Sequence, residues 1–309
     1  MPEKFILATR KSLLALTQSR WVKSEIEKRW SDVEIELLKV VTRGDKILDV
    51  PLAKVGGKGL FVKEIEDALL EKRADLAVHS LKDCPTELPD GLEVSVFPQR
   101  EDPRDAFISR NGISLSDLPK GAKVGTSSLR RLSQLRKFRP DLQIESLRGN
   151  LDTRLRKLDE GMYDAIILAT AGLNRLGLSH RITEHIAPEI MLPAIGQGSL
   201  GIEFRSTDQR MREILATIHH DRTAICVRAE RAFLLRLEGG CQVPIGAHAV
   251  MSADEIVIEG LVADEDGNKV IRRERTGPAD DPESLGISLA NELLEAGGRT
   301  ILEKVYSEK

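Results

Sequence analysis

The chain has 309 residues, 41% of them hydrophobic and 31% charged, with a formal net charge of −3. That composition excludes an intrinsically disordered chain, and no apolar run approaches the roughly 18 residues of a membrane span. The near-balance of charge excludes polyanion binding through bulk charge, so an anionic ligand must be met by local clustering of the 46 Lys and Arg.

In chain order, residues 5–8 read as a strand. Ser12 can cap a helix whose apolar positions include Leu13, Leu16 and Ile26. Residues 34–41 are strand-like, 60–72 form an amphipathic helix, and 75–79 a short buried-type strand. The pattern then restarts: strand 122–125, helix 129–138, strand 143–147, helix 151–160 and strand 164–170. Strand–helix alternation of this kind predicts mixed sheets with helices on both faces. From residue 223 the character changes to a helix over 224–237 and strands at 245–251, 255–262 and 269–274. The last two flank a polar hairpin turn at 264–268, and a final helix covers 282–296. The expected organisation is α/β: two doubly wound mixed-sheet domains plus a small α+β C-terminal domain. Residues 1–99 plus about 200–218 form the first, 100–199 the second and 222–309 the third.

Ligands of open α/β sheets bind at the carboxyl ends of the strands. Arg10, Lys11 and Ser12 follow the first strand; Ser80, Lys82 and Asp83 follow the strand ending at His79. Thr126, Ser127 and Ser128 lead a helix with Arg130 and Arg131 in its first turn. Arg148 follows the next strand, Arg154 lies one helical turn on, and Arg175 is expected in a loop. Hydroxyls and unpaired N–H groups at a helix start suit an anion, and Arg adds bidentate carboxylate recognition. Cations in a first helical turn oppose the macrodipole, for which an anionic ligand is the simplest compensation. The bland reading of each such cation is a solvated surface charge, and of Asp83 a cap or ion pair. The segment Val55-Gly56-Gly57-Lys58-Gly59 lacks the spacing of a phosphate-binding P-loop, yet could cover a ligand.

Three cysteines, none in a CxxC pair, argue against a disulfide framework and a cysteine zinc site, so no metal is expected. Cys84 and Cys226 read as small buried fillers. Cys241 follows Gly239-Gly240 on a loop, where a thiol can serve as nucleophile or attachment point. With no apolar leader at the N-terminus, the expected location is cytoplasmic, with no membrane partner. Two Trp and two Tyr leave little stacking platform, so no nucleic acid is expected as partner of the basic 129–139 helix. A non-catalytic anion-binding protein of periplasmic type is the alternative reading.

Nine ordered runs then carry a resemblance. They are ATRKSLLAL (8–16), VGGKGLFVKEIE (55–66), HSLKDCPT (79–86), REDPRDAF (100–107), GTSSLRR (125–131), RGNLDTRLRKL (148–158), ATAGLNRLG (169–177), PAIGQGSLGIE (193–203) and LEGGCQVPIGAHA (237–249). In these the chain resembles the porphobilinogen deaminases (hydroxymethylbilane synthases). The resemblance implies two periplasmic-binding-protein-like domains and a third carrying the cysteine loop. It implies one dipyrromethane cofactor bound by a thioether to Cys241, an essential Asp83, and porphobilinogen as substrate. Contacts to cofactor and substrate fall on Arg10, Ser12, Lys54, Lys58, Ser80, Lys82, Thr126, Ser127, Ser128, Arg130, Arg131, Arg148, Arg154 and Arg175. The implied enzyme is a transferase, read as a monomer, joining four porphobilinogens with loss of ammonia and handing hydroxymethylbilane to uroporphyrinogen-III synthase. Cys84 stands where an aliphatic residue is expected, and Ser199 where an alanine is.

Overall fold

The computed structural model describes residues 2–42, 62–238 and 243–307. Lys54, Lys58 and Cys241 lie outside the described residues. Within them the chain divides into two compact units, one of residues 2–42, 62–101 and 199–224 and the other of 102–198, 225–238 and 243–307.

The first unit is built on a five-stranded sheet of order β2-β1-β3-β10-β4. β1 (Glu3–Arg10) pairs in parallel with β2 (Val33–Val40) and β3 (Leu76–Ser80). β10 (Leu200–Arg205) runs antiparallel between β3 and β4 (Leu92–Val96). Alternation in the strands sends side chains to two faces. Phe5, Leu7, Val78, Ile202 and Phe204 pack beneath α1 (Leu13–Arg29) and α6 (Gln209–Ala216), through Val22, Ile26, Met211 and Ile214. Ala8 and Ala77 take Ile65, Ala68 and Leu69 of α2 (Lys63–Leu70) on the other face.

The second unit holds two sheets. One has the order β7-β6-β8-β5-β9, with β6 (Lys123–Gly125) parallel to β7 (Gln143–Glu145) and β8 (Ala165–Ala169). β5 (Asp105–Ser109) runs antiparallel between β8 and β9 (Glu184–Ile186). Leu135 of α3 (Leu129–Phe138) packs on Phe107, Val124 and Ile167, while Leu155 and Leu158 of α4 (Leu151–Asp159) and Leu173 of α5 (Thr170–Arg175) cover the opposite face. Both five-stranded sheets thus share one plan: three parallel strands with the middle one first in chain order, then an antiparallel strand.

The other sheet is the meander β11 (Ile245–Ser252), β12 (Glu255–Ala263) and β13 (Val270–Pro278). Its inner face takes Phe233 of α7 (Asp221–Arg236), Leu289 and Leu293 of α8 (Pro282–Leu293) and Leu302 of α9 (Arg299–Ser307). The expected hairpin turn carries Gly267 at φ +72°, where a Cβ would stand 2.3 Å from the Ser133 carbonyl oxygen of α3. Glycine is needed there for both conformation and space. Next to it, Arg136 Nη1 donates to Glu265 O and Asp266 Oδ1, each at 3.0 Å. Glu230 of α7 is buried and accepts from Gly196 N at 2.7 Å and Ala249 N at 2.8 Å, tying the 193–198 segment to the meander.

Four strands escape the sequence reading: β4, β5, β9 and β10. Of the helix expected over 60–72, residues 60 and 61 lie outside the described ones and α2 covers Lys63–Leu70, and Arg175 ends helix α5 instead of lying in a loop. Six residues of helix containing Gly172 give too short a period to register against the preceding strand.

Beneath α2 sits a buried polar cluster: Glu66 of α2, His79 of β3 and Glu203 of β10. His79 Nε2 and Glu203 Oε2 are 2.8 Å apart, and Glu203 Oε1 has no hydrogen-bond partner among the described residues. Burial, reinforced by the Glu203 charge, pushes the Glu66 carboxyl up to about 7, with His79 opposing. A carboxyl raised in the fold above its ordinary 4.5 stabilises the fold fully below pH 4.5, and that stabilisation is lost as pH rises through 7. The unfolding free energy is therefore expected to fall by roughly 2–4 kcal/mol from pH 4 to pH 9 through this group. Glu66→Gln should remove that slope, as read by denaturant titrations across the range; an unchanged slope contradicts the assignment to Glu66.

Candidate active site

In the first unit the polar groups gather where parallel strands β1 and β3 end. Arg10 is the last residue of β1, and Ser12 caps α1 by accepting from Ala15 N at 3.3 Å. After β3 the chain makes a single tight turn over Leu81–Asp83. Leu81 is buried and donates its N–H to Ser199 O at 3.0 Å; Cys84 is buried and donates to Leu81 O at 3.1 Å. These two anchors turn the residues between them outward, leaving Lys82 half-buried and Asp83 exposed. Among the described residues no hydrogen bond or ion pair meets the Asp83 carboxylate. A cap or a salt bridge, the bland readings of this residue, is therefore not what the turn contains. Ser80 Oγ is held by the buried Gln18 of α1, whose Nε2 donates to it at 2.9 Å.

In the second unit the corresponding groups collect at the start of α3 and the end of β7. Thr126 is buried and its Oγ1 accepts from Ser128 N at 3.3 Å; Ser128 caps α3, its Oγ accepting from Arg131 N at 3.5 Å. Ser127 Oγ donates to Leu147 O at 2.8 Å and lies 2.9 Å from Ser146 Oγ, which pins the segment leading to Arg148. Gly149 then turns the chain at φ +110°, where a Cβ would meet Thr153 at 2.7 Å. Lys157 Nζ donates to Arg148 O at 3.1 Å and Arg154 Nε to Gly149 O at 2.8 Å, so α4 holds this turn by its own cations. Arg175 Nη2 donates to Gly198 O at 2.7 Å.

Arg130 and Arg131 differ from the sequence expectation in one respect. Their macrodipole penalty already has an internal compensation, the fully buried Asp105 at the head of β5. Arg130 Nη1 meets Asp105 Oδ2 at 2.7 Å, and Arg131 Nε and Nη2 meet Oδ1 at 2.9 and 2.7 Å. Two guanidiniums hold the Asp105 carboxyl far below the usual range, although burial alone pushes it up. Gln197 Nε2 adds a donor to Oδ1 at 3.0 Å. Neither Asp105 nor Gln197 stood out in the sequence. The usable signal was a lone acid opening the apolar strand Ala106-Phe107-Ile108.

Each unit thus offers a strand-end cluster of hydroxyls and cations suited to carboxylates, and the first adds a projecting carboxylate that can accept N–H bonds. This donor set fits a dipyrromethane, whose side chains are carboxylates and whose ring nitrogens are donors. By fold and site the chain is an α/β protein of two mixed sheets and a small third sheet, with polar strand ends of the anion-binding kind. Residues 5–213 match the dipyrromethane cofactor binding domain of porphobilinogen deaminase, and 224–295 its C-terminal domain. The porphobilinogen deaminase of Geobacter sulfurreducens is 55% identical over 98% of this chain and 95% of its own length. That of Maridesulfovibrio salexigens is 56% identical over 99% of each. Among solved structures, the periplasmic VFT2 domain of Bordetella pertussis BvgS overlays with a TM-score of 0.41 at 15% identity, covering 70% of this chain and 86% of that one. The chain belongs to the porphobilinogen deaminase family.

Two substitutions follow from this geometry. Asp83→Asn is expected to change the unfolding free energy by less than about 0.5 kcal/mol, as for an exposed group without partners. A loss of about 1 kcal/mol or more in denaturant titration would restore the capping reading. Ser199 is buried, and its Oγ has no hydrogen-bond partner among the described residues. Ser199→Ala should raise stability by about 1 kcal/mol, since it removes an unsatisfied buried hydroxyl; a loss of stability would show that the hydroxyl is bonded.

Proposed function

We propose that this chain joins four porphobilinogen molecules head to tail, releasing ammonia and forming the linear tetrapyrrole hydroxymethylbilane. The observation that carries the reading is the projecting Asp83 carboxylate beside Ser80 and Lys82, in a chain of this family over nearly its whole length. In the reaction the aminomethyl C–N bond breaks with loss of ammonia, and positive charge spreads onto the pyrrole nitrogen. A carbon–carbon bond then forms at the free α-carbon of the preceding pyrrole, which gives up its proton. The dipyrromethane, when bound, would supply the first such carbon; after the fourth addition water breaks the bond between primer and tetrapyrrole, giving the product its hydroxymethyl oxygen and leaving the primer in place.

The chain's own residues have separable tasks in this reading. Asp83 accepts pyrrole N–H bonds and opposes the developing positive charge, an interaction that strengthens toward the transition state. It also stands ready to carry the proton lost at bond formation. Ser80 and Lys82 bind beside it, with Arg10 and Ser12 at the neighbouring strand end. Thr126, Ser127, Ser128, Arg130, Arg131, Arg148, Arg154 and Arg175 take ligand carboxylates by charge-assisted hydrogen bonds. Lys54 and Lys58 belong to the same set, and Cys241 is the thioether attachment point. The domain division is 1–99 with about 200–218, 100–199 and 222–309, each with its own sheet. A cytoplasmic monomer passing its product to uroporphyrinogen-III synthase completes the reading; no helix of the described residues is long and apolar enough to cross a membrane.

The test combines mass and kinetics. Intact mass should show an adduct of two condensed pyrroles, and a tryptic digest should place it on the Cys241 peptide; an adduct on Cys84 or Cys226 overturns the attachment. Asp83→Asn should keep the adduct and lose about 10²–10³ in kcat, the usual loss for one preorganised electrostatic group. Asp83→Glu should retain a measurable fraction of turnover. Near-normal kcat in Asp83→Asn rules out a catalytic carboxylate at this turn.

A further inference from the structure

We infer that Asp105 is a positioning residue for this reaction: its buried carboxylate fixes the Arg131 guanidinium at the start of α3 for a ligand carboxylate. The inference rests on the reading that the α3 start takes carboxylates of the cofactor or growing chain.

Three observations support it. Arg131 is held from two directions, by Asp105 of β5 through Nε and Nη2 and by Ile167 O of β8 through Nη1 at 2.9 Å. A planar fork bonded to two neighbouring strands keeps one orientation, so its rotamer freedom is surrendered on folding rather than on ligand binding. The carboxylate is itself fixed, because Gln197 Nε2 donates to Oδ1 at 3.0 Å and to Pro103 O at 2.6 Å. Finally, one carboxylate faces two guanidiniums where all three side chains are buried. Arg130 spends its Nη1 on Asp105 and on Leu192 O, each at 2.7 Å, and its buried Nε finds no acceptor among the described residues. A pair selected for stability alone would match one cation to one anion, since surplus buried charge is costly. A second cation beside the hydroxyls of a helix start suits a centre that meets anions.

The test must separate orientation from charge balance. Asp105→Asn alone leaves two guanidiniums without an anion, so the decisive comparison is Arg130→Met against Asp105→Asn/Arg130→Met. The double variant restores the formal charge of the native three-residue cluster while removing the group that directs Arg131. Each full-length protein is assayed for pyrrole adduct by intact mass, for KM and kcat of the loaded fraction with porphobilinogen, and for thermal midpoint. Adduct occupancy at least tenfold lower in the double variant, or KM at least tenfold higher with kcat changed less, supports the inference. Equal occupancy and KM in the two proteins, at whatever level, overturn it, even if the melting temperatures differ. Should the double variant not fold, Gln197→Leu decides, because it loosens the carboxylate without changing charge: a KM raised threefold or more supports the inference, and an unchanged KM overturns it. Arg131→Leu with full adduct and normal KM would instead sink the underlying reading. Arg131→Leu without adduct, beside equal behaviour of the decisive pair, sinks only the role of Asp105.

Discussion

The second unit is organised around one ion cluster, the Asp105 carboxylate with the guanidiniums of Arg130 and Arg131. It joins the head of β5, the first turn of α3, the carbonyl of Ile167 in β8, and the 192–197 segment through Leu192 and Gln197. No single element could bury these groups alone. Two guanidiniums at a helix start repel each other and the macrodipole, and an isolated buried carboxylate would hold its proton. Brought together, the guanidiniums hold the carboxylate ionised and it offsets part of their repulsion, with one positive charge left over. The cost is that all must be in place at once, which makes the start of α3 rigid where the sequence has its densest row of hydroxyls and cations.

Three acids of this molecule show how little the residue type decides by itself. Asp105 is fully buried, yet two adjacent cations hold its carboxyl far below the ordinary range. Glu66 is also buried, but its neighbours are a second carboxylate and one imidazole, and its carboxyl rises to about 7. Asp83 is exposed on a turn whose flanking residues are the buried ones. The difference lies in the charge and reach of what stands opposite, set by strand register: Gly201 pairs with His79 and Glu203 with Ala77, which puts Glu203 and His79 on the face that α2 covers.

Much of this was readable from the amino-acid sequence where local chemistry decides. Helix α3 runs from Leu129 to Phe138, as its Ser128 cap and the following Pro140 imply. The polar strand ends at Arg10, Ser80 and Thr126 follow from short apolar runs that stop at hydroxyls and cations. What was not readable depends on partners far along the chain. Strands β5 and β10 sit between neighbours that run opposite to them; β5 is a short apolar run without alternation, and β10, although Leu200, Ile202 and Phe204 alternate with Gly201, Glu203 and Arg205, is only six residues long. Asp105 meets arginines 25 and 26 residues later and a glutamine 92 residues later, so nothing near it in sequence announces its role. The cation row at α3 was visible; that its first counter-ion is internal was not.

An internal counter-ion changes what that row can do. Mobile surface arginines attract anions but must be ordered each time one binds, at a cost in side-chain entropy. Here the ordering is part of folding, and two guanidiniums share one carboxylate and fixed carbonyl oxygens. Asp83 is arranged in the opposite manner, with its backbone fixed by Leu81 and Cys84 and its carboxylate left without a described partner. In the proposed reaction, a carboxylate that serves successive pyrroles has to exchange N–H donors and so cannot be committed to the protein, whereas a group that holds a ligand carboxylate in one place gains from being committed. The two units thus use opposite local solutions: a carboxylate and guanidiniums committed to one another at the start of α3, and a carboxylate after β3 that no described group holds.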